Sequence, residues 1–253
     1  MRLNICVVVI LASAAATGRA AAQTPVEPPA QWEVKIGAAF VGTSGNSDTK
    51  STGANFDARR DWDVWRIESS ASAVATSDKG VTTAEQFLGA VRAKRDITKV
   101  VSATTGIKLE RDQLSGLNFR SLLDGGFAYA IVKRKEWTLD GLTALVWSHE
   151  TRTINETLDE AEGELEIKSK YLFGSSGETT QRITYFPNFT TATAYRAEGE
   201  LTVQASMNKR LALKIGFLWR YAHDPVPGFM RSDTTTTASI VVRWRAATAA
   251  PAP

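Results

Sequence analysis

Residues 159–173, "DEAEGELEIKSKYLF", carry a charge at every second position: Glu160, Glu162, Glu164, Glu166, Lys168 and Lys170. Between them lie Ala161, Gly163, Leu165, Ile167, Ser169, Tyr171 and Phe173. On a helix this order would scatter charge around the cylinder, whereas successive side chains of a strand point to opposite faces. The stretch therefore predicts a long amphipathic strand. The same period recurs along the chain. Trp32, Val34, Ile36, Ala38 and Phe40 alternate with Glu33 and Lys35, and Ala54, Phe56 and Ala58 with Asn55, Asp57 and Arg59. Trp65, Ile67, Ala71, Ala73 and Ala75 face away from Arg66, Glu68, Ser70 and Ser72. Phe87, Val91 and Ala93 oppose Arg92 and Lys94; Ala103, Ile107 and Leu109 oppose Ser102, Thr104, Lys108 and Glu110. Further runs cover about 119–132, 137–148, 160–173, 179–187, 193–206, 210–221 and 235–245, giving about twelve strands. Beyond residue 22 no segment of helical length has a 3.6-residue period.

Alternation suits a water-soluble sheet as well as a membrane barrel, so other features must decide. Most runs reach ten residues or more. A bilayer crossed at a tilt needs roughly 9–11, and a typical soluble strand has about 5–6. Aromatic residues collect at the run ends, with Trp32, Trp62, Trp65, Trp137 and Phe173 near one rim and Phe40, Trp147, Tyr185, Phe186, Trp219 and Tyr221 near the other. Such girdles suit the two membrane interfaces. The odd-numbered connections read as long ("TSGNSDTK", "TSDKGVTTAE", "ERDQLSGLN", "SHETRTINETLDE", "FPNFTTATA", "HDPVPGFMRSD") and the even ones as short ("RDWD", "DITK", "KRKE", "GSSGE", "MNKR"). Short periplasmic turns and long external loops characterise outer-membrane barrels. Hydrocarbon also requires closure, because an open edge would leave unpaired backbone groups at a cost of several kcal/mol each. The charged rows then point into a lumen.

The N-terminus fits that destination. Arg2, the apolar run "ICVVVILASAAA" and a small-residue site with Ala20 and Ala22 describe a secretory signal peptide over 1–22, too short and wrongly flanked for a membrane helix. Removing it takes two of the 30 basic residues and none of the 27 acidic ones, leaving a nearly neutral chain. Charge is interleaved and not clustered, so the sequence pI near 9 does not point to nucleic acid, and no nucleic-acid partner is expected. Cys6 is the only cysteine and lies in the signal, so disulfides do not hold the fold. Residues 23–31 read as a flexible Pro-rich lead-in, 32–245 as one barrel domain and 246–253 as a flexible tail.

Four stretches, "GNSDT" (45–49), "ERDQLSGLNFR" (110–120), "DGGFAY" (124–129) and "YAHDPVPGFMRSDT" (221–234), resemble in their order and spacing the bacterial family of salt-induced outer-membrane proteins, a domain family of unknown function. The resemblance spans nearly the whole chain after the signal. It implies a Gram-negative outer-membrane barrel and implies no catalytic residues.

The candidate chemistry lies in the inward rows. Residues two apart on a strand are roughly 6.5–7 Å apart, while calcium takes several oxygens at about 2.3–2.6 Å, so Glu160–Glu166 alone do not chelate one ion. Cations on the other inward rows offer partners instead: Arg92, Lys94, Lys108, Arg182, Arg196, Lys214, Arg220, Arg243 and Arg245. Opposite charges facing one another across strands are favourable. The lumen-lining set is Glu160, Glu162, Glu164, Glu166, Lys168, Arg92, Lys94, Arg196, Lys214 and Arg243, with no catalytic, cofactor-binding or metal-binding residues. His149, in "SHET", and His223, in "AHDP", are the only histidines. Adjacent strand residues point to opposite faces, so neither His149–Glu150 nor His223–Asp224 forms a dyad without a bend. Gly45-Asn46 and the Pro225–Pro227 pair read as turn chemistry. A phosphate-binding reading of "GSSGE" fails because no helix follows. "NET" (155–157) and "NFT" (188–190) indicate only surface position.

These features predict an all-β chain, a transmembrane antiparallel up-and-down barrel in the outer membrane, without cofactors. Its expected partners are outer-membrane lipid and the barrel-assembly machinery. The expected role is envelope structure or narrow passage of small solutes and ions through a side-chain-occluded lumen. The alternatives are a barrel lipase or protease using a rim histidine, and a soluble periplasmic β-protein.

Overall fold

The computed structural model describes residues 32–42, 49–78 and 81–245. The expected signal peptide, lead-in, tail and "GNSD" turn lie outside the described residues. Twelve strands follow in chain order: β1 (Trp32–Gly42), β2 (Thr49–Trp62), β3 (Trp65–Asp78), β4 (Val81–Asp96), β5 (Val101–Asp112), β6 (Leu117–Lys133), β7 (Trp137–Arg152), β8 (Thr157–Phe173), β9 (Gly177–Phe186), β10 (Arg196–Ser206), β11 (Leu211–Ala222) and β12 (Ser232–Arg245). Each pairs antiparallel with its sequence neighbours, and β12 pairs β1 through Lys35↔Arg243 and Gly37↔Val241, closing the barrel. No edge is left among the strands, so a hydrocarbon surround meets no unpaired ladder.

The period-two pattern becomes an inside and an outside. Leu145 is 71% exposed while its neighbour Val146 is 4% exposed; Leu165 is 48% exposed and Glu164 only 7%. Ile36, Phe87, Leu123, Ile167, Ile215 and Ile240 continue the exposed apolar wall around the ring. An apolar surface of that extent is unfavourable in water and favourable in lipid. The rims carry the aromatic residues. At one end Arg60 lies over the rings of Trp32 and Trp62 at 5.2 and 5.3 Å, and Arg95 over Trp65 at 5.6 Å. At the other end Trp147, Tyr185, Trp219 and Tyr221 point outward from β7, β9 and β11.

The connections depart from the lengths read in the sequence. β3 and β4 approach to within residues 79–80, and Ser77 still pairs Thr82 inside the segment read as a long loop. Four residues separate β5 from β6, three of them a 3-10 turn, Gln113–Ser115, and four separate β7 from β8. Polar residues on both faces disguised these ends as loop, but the ladder continues through them beyond the apolar band. Two long connections, 187–195 and 223–231, share one end, here called the mouth. β-bulges lie near the mouth in β5–β6 and β6–β7, where a ladder is most easily re-aimed.

Candidate functional site in the barrel lumen

Register places the charges. Glu160, Glu162, Glu164 and Glu166 of β8 stand opposite Ser148, Val146, Ala144 and Leu142 of β7, and all share the inner face. The same alternation turns Lys94, Arg92 and Leu88 of β4, Lys108, Glu110 and Asp112 of β5, and Arg120, Leu122 and Asp124 of β6 inward. Glu198 and Glu200 of β10 face Arg220 and Leu218 of β11. Leu122, Leu142, Val146, Ala212 and Val241 are buried between these charges, a thin apolar lining with no separate core.

The ion pairs do not stay between neighbouring strands. Arg92 Nη2 lies 2.9 Å from Glu164 Oε2 and 3.2 Å from Asp124 Oδ2, joining β4, β6 and β8. Lys108 Nζ on β5 is 3.4 Å from Glu198 Oε1 on β10. Arg220 Nη1 on β11 is 3.2 Å from Glu110 Oε1 and 2.6 Å from Asp112 Oδ2 on β5. β5 and β11 are six strands apart in a ring of twelve, so this pair crosses the whole lumen. Glu110 also accepts from Arg120, which pairs with Glu150; Glu150 in turn takes Arg152 at 2.7 Å. Arg196 holds Glu162 at 2.6 Å across β9, and Arg182 holds Glu200 at 2.5 Å and Glu166 at 3.9 Å. The network fills the mouth half of the barrel.

One glycine makes the reach of Arg92 possible. Gly106 faces inward between Arg92 and Asp124 in register, and a Cβ there would lie 2.6 Å from Asp124 Oδ2 and 3.3 Å from Arg92 Nε. The guanidinium passes over the space a side chain would occupy.

The remaining residues of the expected set divide. Lys94 pairs with Glu68 at 3.2 Å. Lys168 lies between Asp140 and Arg182 in register, and Glu160 beside Ser148. Lys214 stands between Gln204 and Ser239 without an ion pair among the described residues. Arg243 Nη2 donates to Ser206 Oγ at 2.5 Å. Sequence reasoning named the cations but overlooked most of their acidic partners. Asp124, Glu150, Glu198 and Glu200 were legible by counting in twos along β6, β7 and β10, as Glu110 was on β5. Among the described residues no group of three or more histidine, cysteine or carboxylate side chains is placed to hold a metal ion.

The histidines face outward, away from this network. His149 Nδ1 is 2.8 Å from Asp159 Oδ1, its register partner, and its ring lies along Trp147 at 6.1 Å. His223 stacks on Tyr195 at 4.6 Å and meets the Tyr221 hydroxyl at 3.2 Å.

Residues 36–244 match a family described as "Protein of unknown function, DUF481". No curated protein matches the chain. Among solved structures, an outer membrane channel from Pseudomonas putida F1 is similar at 10% identity, with 88% of this chain and 99% of that one covered and a TM-score of 0.51. The NanC porin is similar at 10% identity, over 84% and 97% of the two chains, with a TM-score of 0.48. The KdgM porin, solved in complex with disordered oligogalacturonate, is similar at 10% identity over 84% and 98%, with a TM-score of 0.40. At this identity the likeness to the Pseudomonas channel concerns the fold and not the cargo.

Proposed function

We propose that this chain, which belongs to the DUF481 family, is an outer-membrane barrel giving narrow passage to small ions and solutes through a lumen closed at rest by ion pairs. The observation that carries this reading is Arg220 meeting Glu110 and Asp112 from the opposite wall. A barrel of eight strands is filled by its side chains and one of 16–18 holds an aqueous channel. At twelve strands, long charged side chains decide between these states. Salt screens such pairs where water reaches them, over about 10 Å at 0.1 M and about 3 Å at 1 M. Ions that enter compete for the same charges and part the pairs briefly. The protein does no covalent chemistry; its work is to exclude. It lies in the outer membrane with the mouth outside, in contact with lipid and delivered by the barrel-assembly machinery.

Purified protein in liposomes tests this. Potassium or chloride flux should be slow but measurable, with sugars retained. Porin-like release of sugars would overturn the occluded lumen. Absence of ion flux even after Glu110→Gln/Asp112→Asn would leave only a structural role. A second reading, hydrolysis at the rim, rests on the His149–Asp159 pair. Its ring leans along Trp147, and among the described residues no serine or threonine hydroxyl bonds to it. Turnover of fluorogenic lipid or peptide substrates that is lost in His149→Ala would favour that reading.

A further inference from the structure

The connection 223–231 does more than join β11 to β12. It leaves the wall and reaches the β5–β6 connection, which the strand order puts on the opposite side of the mouth. Val226 is 5% exposed and Leu117 2%. A Cβ on Gly116 would lie 2.6 Å from the Phe229 ring and 3.0 Å from Val226 Cβ. Gly116 has φ +77°, a left-handed conformation that a side chain disfavours, so the landing site needs glycine on two counts.

Both ends of this contact are shaped in advance. Pro225 and Pro227 limit the segment, Gly228 turns it at φ +91°, and Phe229 N donates to Val226 O at 3.0 Å. The root is tied by Ala222 N to Arg231 O at 2.9 Å and by His223 N to Tyr195 O at 3.0 Å. The landing site is tied by Thr153 N to Gly116 O at 2.9 Å. Beneath lies a recess of about 70 Å³, with Pro225, Val226 and Met230 on one side and Glu110, Arg120 and Arg196 on the other. That volume holds a few waters, at roughly 30 Å³ each in the liquid. An apolar roof stands over a charged floor.

We propose that residues 223–231 form a lid over the lumen, latched by Val226 and Phe229 on Gly116 and hinged at its β11 and β12 roots. The lid is a second barrier in series with the ion pairs. A contact made by two apolar side chains belongs to the weakly held part of a structure, so it opens without unfolding the barrel. The proposal rests on the passage reading for its purpose, but not for its geometry.

The test therefore reads access before flux. Ser148 faces inward on β7, is 1% exposed and makes none of the ion pairs above. Cys6 is the chain's only cysteine and lies in the expected signal, so Ser148→Cys gives a single thiol after processing. In the Glu110→Gln/Asp112→Asn background, which weakens the ion pairs beneath, a charged thiol reagent should label it slowly in detergent, and at least ten-fold faster when Val226→Asp and Phe229→Ser are added. Equal labelling rates, fast or slow, would overturn the lid. In a second arm, Val226→Asp and Phe229→Ser are placed in the Glu110→Gln/Asp112→Asn background. Ion flux should rise several-fold over that background alone; unchanged flux would also overturn the lid. Should the second arm fail to fold, labelling still decides. Flux absent with and without the lid substitutions would count against the passage reading, leaving the labelling result intact.

Discussion

Arg92 and Glu164 meet at 2.9 Å although three strands separate their own, with Gly106 lying beneath the arginine. The pair depends on a missing side chain as much as on two charges. Gly106→Val places new atoms 2.6 Å from Asp124 Oδ2 and 3.1 Å from the Val91 carbonyl, and the latter is backbone that does not move aside. Urea titration in lipid vesicles should show a loss of about 1–3 kcal/mol, as for other overpacked sites. Conductance should rise as Arg92 is displaced. Unchanged stability together with unchanged conductance would remove Gly106 from the account.

The apolar wall predicts where charge is refused. Leu165, Ile215 and Ile240 are exposed residues of the outer face, well inside their strands. Substitution of each by arginine should cost roughly 2–4 kcal/mol near the bilayer midplane. Lys214→Arg, on the inner face, should fold as wild type does. Similar losses in both groups, measured by vesicle refolding, would mean that inside and outside are exchanged. Glu164 does not serve as the inward control, because an arginine there would face Arg92.

Arg196 and Glu162 pair at 2.6 Å with little exposure, so each should matter more to its partner than to the barrel as a whole. Glu162→Gln leaves a partly buried cation without its counter-charge. Arg196→Met in the same chain should recover part of the loss. A double-mutant cycle should give a coupling of about 0.5–3 kcal/mol. Additive losses would show that the two side chains act independently.

Salt should act on the lumen and not merely on the number of carriers. Between 0.1 and 1 M the screening distance falls from about 10 to about 3 Å. Wild-type conductance should therefore rise more steeply than bulk conductivity over that range, with declining ion selectivity. A strictly proportional rise would indicate a lumen already open.

Much of this architecture was legible in the sequence. Glu160–Lys170 announces one wall of a barrel by alternation alone, and β8 runs from Thr157 to Phe173 around it. The same counting gave the sides of Leu165 and Glu164, because a period of two has only two outcomes. The pairing was not legible. Arg92 lies 72 residues from Glu164 in sequence, and no local pattern reports which charges meet across an enclosed space. Loop lengths misled for a related reason. Ser77 and Thr82 are polar and read as turn, but pairing between backbones continues whatever the side chains are. The 223–231 connection announced its prolines and glycine, while its landing on Gly116 is a tertiary fact.

Planar-bilayer recording of wild type beside Glu110→Gln/Asp112→Asn addresses the closed lumen itself. Both substitutions keep side-chain volume and remove the two carboxylates that hold Arg220 from across the barrel. At 0.1 M salt the wild type should show little or no conductance. The variant should conduct several-fold more, with a weaker preference for cations. A large, salt-independent pore in the wild type, with conductance and selectivity unchanged in the variant, would contradict a lumen shut by ion pairs.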